Sequence, residues 1–247
     1  MTSRNSPAEP KAPMSFDADV EREQLHRQIL SSVSHDLKTP MASIIGSLEI
    51  FQRMYDRLSI EQQKNLVGVA LQEAYRLDNF LTNILDMAKL ENGLVKPRRE
   101  SVIVHALLVD CVTRLGNRLK GSTVQIDPSA EALTISTDST LLTRAVCLVL
   151  DNAVKYGGIP STINITYGKA ESGQGVIRIA DNGVGIPDDH LTTVFEKYTR
   201  FARGDQQNAG TGLGLAICRE IMRLLGGTVK AENGAQGGAV FSLYFPL

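Results

Sequence analysis

"SSVSHDLKTP" (residues 31–40) sets a histidine between Ser34 and Asp36, a little over one helical turn ahead of a proline. Outward from it, the apolar residues Leu25, Ile29, Val33, Leu37, Met41, Ile44, Leu48 and Phe51 recur every three or four positions. That is one stripe along a long helix running from about Asp17 to Arg57. His35 is two residues from both Val33 and Leu37, roughly 200° around a helix of about 3.6 residues per turn, so its ring is expected to point away from the stripe. Asp36 adjoins it, and Thr39 lies one turn further on the same outward face. Pro40 removes an intrahelical N–H and crowds the carbonyl of Asp36, so the helix is expected to kink or loosen there. An exposed imidazole whose one ring N–H is held by a carboxylate keeps a lone pair on the other nitrogen, a nucleophile at neutral pH. A single histidine is most often just a solvated side chain, so the neighbours carry the case. Zinc is the rival use, but His26, His105 and His190 offer no second ligand at helical spacing.

The stripe ends at "DRLSIEQQ" (56–63), where Ser59 and Gln62 have the spacing of a capping box that starts the next helix. A second stripe runs through Leu66, Ala70, Leu77, Leu81, Ile84 and Ala88 to the glycine stop of "ENG" (91–93). The result is an antiparallel helical hairpin. Two such helices cannot cover each other's stripes, so a second hairpin, and hence a dimeric four-helix bundle, is expected; the alternative is packing on the rest of the same chain.

Beyond "GLVKPRRES" (93–101) the period changes. Short β-prone runs ("TVQI", "LTIST", "STINITY", "GVIRIAD", "GGTVKAEN", "AVFSLYFP") alternate with helical ones at 103–118, 139–156 and 212–225, ending in a hairpin at "NGAQGG". The expectation is a layered α/β sandwich on a mixed sheet, which makes the chain α+β as a whole. In "DNGVGIP" (181–187) Asp181 falls at a strand end, where a carboxylate can accept from the exocyclic amine of adenine. Gly183 and Gly185 let the backbone approach the ring. "GTGLGLAICREIM" (210–222) opens a helix with three glycines, a setting suited to a triphosphate. "LDNAVKY" (150–156) adds Asn152 for Mg²⁺ and Lys155 for phosphate. There is no P-loop.

Composition agrees and excludes little else. Of 247 residues, 26 are Lys or Arg and 27 Asp or Glu, so no overall field draws the chain to nucleic acid or an anionic membrane. Cys111, Cys147 and Cys218 lie far apart without C-x-x-C spacing, which fits a reducing, cytoplasmic setting. No apolar run is long enough to cross a membrane, so no membrane contact is expected within the chain, although a membrane-anchored sensor upstream remains compatible. The boundaries read as a disordered tail over 1–16, the hairpin over 17–93 and the α/β domain over 94–247.

In order, "SHDLKTP", "LDNAVKY", "DNGVGIP", "VFEKYTR" (194–200) and "GTGLGLAI" resemble the H, N, G1, F and G2 boxes of bacterial sensor histidine kinases, over residues 20–247. The resemblance implies a Bergerat-type ATP site in which Asp181 reads adenine and Asn152 binds Mg²⁺. Lys155 and Arg200 would meet the phosphates, and Tyr156, Gly183, Gly185, Gly210, Thr211, Gly212, Leu213 and Gly214 would line the site, with 196–211 as the lid. It further implies a homodimer that phosphorylates His35 from ATP, with Asp36 as base, and passes the phosphoryl group to an aspartate of a separate response regulator. Thr39 resembles the hydroxyl of a phosphatase motif acting on that regulator. One departure stands out: the family's first N-box asparagine is Leu148 here. It leaves open an alternative reading, a phosphotransfer or docking dimer with a weakened ATPase domain.

Overall fold

The computed structural model describes residues 16–119, 121–128, 133–157, 160–199 and 211–247; the side chains of 16–32, 35, 117, 118 and 128 lie outside that description. The expected disordered tail, apart from Phe16, therefore lies outside the described residues. The chain forms two units, Met1–Asn79 and Phe80–Leu247.

The first unit holds helix α1 (Phe16–Met54), a 3₁₀ turn at Tyr55–Arg57 and the first turns of helix α2 (Ile60–Glu91). The capping box forms as expected: the Ser59 N–H donates to Gln62 Oε1 at 2.9 Å and the Gln62 N–H to Ser59 Oγ at 3.2 Å. Gln63 ties the turn down by donating to the carbonyls of Tyr55 and Leu58. α1 is helical on both sides of Pro40, the place where a kink or loosening is expected. Pro40 is buried, and a proline packed into an apolar surface can sit inside a helix whose one missing hydrogen bond is offset by burial. The apolar stripe is only half covered. Val33, Leu37, Ile44 and Phe51 are half-buried, whereas Met41, Ile45, Leu48 and Leu71 are each about half exposed (48–52%).

The second unit begins with the last turns of α2, where Phe80, Met87 and Leu90 are buried. Gly93, at φ +63°, ends the helix, and the Leu94 N–H returns to the Lys89 carbonyl. A small antiparallel pair follows, β1 (Glu100–Ile103) on β3 (Thr134–Thr137). The main sheet has the order β2-β4-β5-β7-β6, from β2 (Ser122–Pro128), β4 (Ser161–Lys169), β5 (Gly175–Asp181), β6 (Thr228–Asn233) and β7 (Ala239–Phe245). β2 runs parallel to β4 and the other pairings are antiparallel, so the expected mixed sheet is present.

Helices α3 (Val104–Leu115), α4 (Ser139–Tyr156) and α5 (Gly214–Leu224) pack on the sheet and in turn on one another, α3 on α4 and α4 on α5. Cross-strand neighbours Ile165–Ile179, Ile179–Phe241 and Ile177–Leu243 are all fully buried and form the floor of that core. Asp138 caps α4 by accepting from the Leu141 N–H at 3.0 Å, which fixes where the helix carrying Asn152 begins. The α/β sandwich expected from the alternating periods is thus the observed architecture. The strand missing from the sequence reading is β1 (Glu100–Ile103).

Candidate active site

The pocket is built where β5 ends. Asp181 is buried, and its Oδ1 accepts from the N–H of Gly183 at 2.9 Å and of Ala239 at 3.1 Å. With both bonds on Oδ1, Oδ2 is left for a donor from the cavity. Burial pushes the Asp181 carboxyl above its ordinary value, and the two backbone bonds partly offset that rise. Asn182 faces the other way, accepting from the Thr162 N–H and donating to the Pro160 carbonyl, so the turn is clamped to the start of β4.

Two glycines of this turn have physical reasons to be glycine. A Cβ at Gly183 would run into the Tyr156 carbonyl at the end of α4, and Gly185 adopts φ +73°. On the opposite wall, Gly212 at φ +67° lies against Tyr198, whose N–H donates to the Gly212 carbonyl at 2.9 Å. Tyr198 itself adopts φ +62°, an uncommon conformation for an aromatic residue. This clasp closes the neck of the segment expected to be the lid. The lid interior, with Arg200 and Gly210, lies outside the described residues.

The cavity so enclosed measures about 630 Å³ and is lined by Asn152, Lys155, Tyr156, Asp181, Gly185, Thr211, Gly212 and Gly214. Gly183 adjoins it as a backbone donor to Asp181, and Leu213 is buried behind it. Lys155 Nζ sits 2.7 Å from Asp151 Oδ2, one turn back on α4. Leu148 is buried at the cavity wall and faces Gly214 at the start of α5, where even a Cβ would touch its side chain, so it fills the space between α4 and α5.

Several functional residues escaped the sequence reading. Ala239 supplies a backbone donor to Asp181. Asn233 holds the G1 turn, accepting from the Ile186 N–H at 2.8 Å and donating to the Ile186 carbonyl at 2.7 Å. Gly238 must be glycine because a Cβ there would strike the Asp181 carbonyl. Asn233 and Gly238 belong to "NGAQGG" (233–238), read only as a turn, and Ala239 opens the strand that follows it; the excess of glycines was the available signal. Asp189 and His190 also line the cavity.

The residues expected to carry the acceptor chemistry lie on the other unit. His35 is in α1 with its side chain outside the described residues; Asp36 is half-buried and Thr39 exposed.

Family models match both units. Residues 25–93 match the His Kinase A (phospho-acceptor) domain, and residues 137–247 the histidine kinase-, DNA gyrase B- and HSP90-like ATPase domain. The chain therefore joins a phospho-acceptor domain to a histidine kinase-like ATPase domain, the pairing found in the cytoplasmic core of sensor histidine kinases. The sensor protein KdpD of Clostridium acetobutylicum is 30% identical over 92% of this chain and 25% of its own length. The sensor protein VanS of Enterococcus faecium is 30% identical over 85% of this chain and 55% of its own. The chain thus spans about a quarter to a half of these relatives. Among solved structures, the histidine kinase ThkA in complex with the response regulator TrrA superposes with a TM-score of 0.70 at 21% identity, over 92% of this chain and 63% of that one. Full-length ShkA in complex with AMPPNP gives 0.64 at 24% identity, over 89% and 45%. The ATP-binding class of the second unit follows from the domain match.

Proposed function

We propose that the chain autophosphorylates His35 from ATP and passes the phosphoryl group to an aspartate of a response regulator. One observation carries the reading: the buried Asp181, with an oxygen left for a donor, at the end of a glycine-walled cavity, in a chain whose other unit matches a phospho-acceptor domain. The fit to an adenine nucleotide rests on that carboxylate and on the glycine turn at 183–185, which packs against Tyr156 and Asn233 and holds Asp181 at the cavity. Asp181 accepts from the exocyclic amine. The Asn152 amide oxygen would hold Mg²⁺ together with phosphate oxygens and water, as suits an ion that keeps much of its hydration shell. When bound, the ion neutralises charge on the transferring group. Lys155 exchanges its bond to Asp151 for phosphate, and Arg200 would join it from the lid.

On α1 the His35 ring nitrogen attacks phosphorus while Asp36 takes the proton from the other nitrogen and orients the ring. Thr39, one turn on, holds a water for attack on the regulator's aspartyl phosphate, a second activity of the same helix face. The half-exposed apolar residues of α1 and α2 support a homodimeric bundle as the working form, in a cytoplasmic setting. Incubation with labelled ATP and Mg²⁺ tests the reading. The expected label survives base and is lost in acid, as a phosphohistidine does; an acid-stable label, or none, would refute it.

A further inference from the structure

Cys111 and Cys147 are distant in sequence, but the packing of α3 on α4 brings them together. The Cys111 Sγ lies 3.8 Å from the carbonyl oxygen of Thr143. In an α-helix that carbonyl is the acceptor for the N–H of residue 147. The Cys111 sulfur therefore sits against the very turn that carries the Cys147 side chain, close enough for each thiol to shift the other's titration. Neither is in a disulfide.

Their surroundings differ in a way that assigns roles. Cys111 is buried, whereas Cys147 is half-buried. The Cys147 thiol is held below its ordinary value, first by the neighbouring Cys111 thiol and then, against the cost of burial, by the nearby Arg114 and Arg144 cations. Cys111 is driven well up by the Cys147 thiol and by burial. One thiol is thus favoured as the thiolate that attacks and its neighbour as the thiol that follows. A surface cavity of about 450 Å³ has Asp110, Arg114 and Thr143 in its wall, next to this pair.

We propose that Cys111 and Cys147 form a redox-active dithiol which a low-molecular-weight disulfide converts into a covalent link between α3 and α4. The Cys147 thiolate attacks one sulfur of the incoming disulfide, breaking its S–S bond and releasing one small thiol. Cys111 then loses its proton and attacks the Cys147 sulfur of the mixed disulfide, expelling the second small thiol. Two protein thiols are oxidised and one disulfide is reduced to two thiols, so nothing else is consumed. Arg114 Nε is paired with Asp110 Oδ2 at 2.6 Å, and the remaining N–H groups of its guanidinium at the cavity wall are the partner for the carboxylates of a disulfide such as oxidised glutathione.

The link would report to the nucleotide cavity, a step that rests on the function proposed above. Cys147 adjoins Leu148, and Leu148, Asp151, Asn152 and Lys155 of the same helix line that cavity. A disulfide demands a Cα separation of about 4.4–6.8 Å, so it fixes this turn of α4 against α3.

The test equilibrates the reduced chain with glutathione buffers of rising oxidised fraction and reads intact mass and alkylated peptides. The expected product has lost two hydrogens, with Cys111 joined to Cys147 and Cys218 alkylated only after unfolding. Cys111→Ser should stop at a glutathione adduct on Cys147, and Cys147→Ser should stay unmodified at Cys111. All three thiols still reduced in the most oxidising buffer, or a bond that uses Cys218, would overturn the proposal, and the native chain alone decides this. ATP affinity of the reduced and oxidised chains, by calorimetry, is expected to differ by about threefold or more, some 0.65 kcal/mol. Equal affinities would overturn the coupling to the cavity while leaving the dithiol. No ATP binding by the reduced chain would instead refute the nucleotide reading and the coupling with it.

Discussion

The two units of the chain solve the burial problem differently. In Phe80–Leu247 the sheet and three helices enclose Leu108, Leu142, Ile165, Ile177 and Phe241 with no exposure at all. In Met1–Asn79 the helices leave Met41 and Leu48 of the expected stripe, and Ile45 beside it, about half exposed, and among its described residues the buried ones are the small Pro40, Ser47 and Ala70. A sandwich of helices on a sheet can close its own core, whereas a two-helix hairpin has one apolar flank too many. The catalytic unit is therefore expected to owe its stability to its own chain, and the hairpin to a second copy of itself.

The sharpest way to break this contrast is a charge in the open flank. Leu48→Asp removes little from a hairpin that leaves Leu48 exposed, but in a bundle it buries an uncompensated carboxylate. A cost of about 3 kcal/mol or more, over 100-fold in the dimer dissociation constant, is expected by sedimentation, with ATP binding unchanged. An unaltered association constant would mean that the flank is not the seam.

The next effect belongs to the other unit. Asp181→Asn should cost about 1–3 kcal/mol of nucleotide affinity, as loss of a charge-assisted hydrogen bond does. Its effect on folding has the opposite sign. Asp181 has a native value raised above its unfolded one near 3.8, so the native state binds the extra proton between the two. The stability that goes with this is fully present below the unfolded value and is lost as pH rises through the native one. Asparagine keeps an oxygen for the Gly183 and Ala239 donors and carries no charge to bury. At pH 7 the variant is expected to melt no lower than the native protein, a result that unfolding curves at pH 4 and 7 would check.

Much of this was legible because the signals were local. Ser59 and Gln62 announce their cap by spacing alone, Asp181 ends a strand just before its glycines, and the two apolar stripes have the helical period. The residues that escaped are those whose roles exist only after distant segments meet. Nothing in "NGAQGGA" (233–239) says that Ala239 will donate to Asp181, or that Asn233 will brace Ile186, because both pairings cross from the last hairpin back to the end of β5. Cys111 and Cys147 are the same case on the helices. At Leu148 the departure from the family pattern is legible, and the structure adds a reason for an apolar side chain there, since it fills the gap between α4 and α5.

Two smaller effects sharpen the account within each unit. Leu148→Asn, offered a buried wall rather than a metal, is expected to lower stability by about 1–3 kcal/mol in denaturant unfolding, from a polar group left short of partners. A lowered Mg²⁺ requirement with unchanged stability would restore the metal role. Thr39→Ala should keep autophosphorylation within a few-fold and slow dephosphorylation of the cognate regulator about tenfold, roughly 1.4 kcal/mol of barrier. Equal losses in both rates would point to a folding or docking defect instead.

The central claim is a division of labour: the acceptor belongs to the hairpin and the nucleotide site to the sandwich. His35→Gln tests it most directly when ATP binding by calorimetry and labelling from ATP are measured on one preparation. The account predicts native nucleotide affinity with no acid-labile label. Retained labelling in that variant, or nucleotide affinity lost along with it, would contradict it.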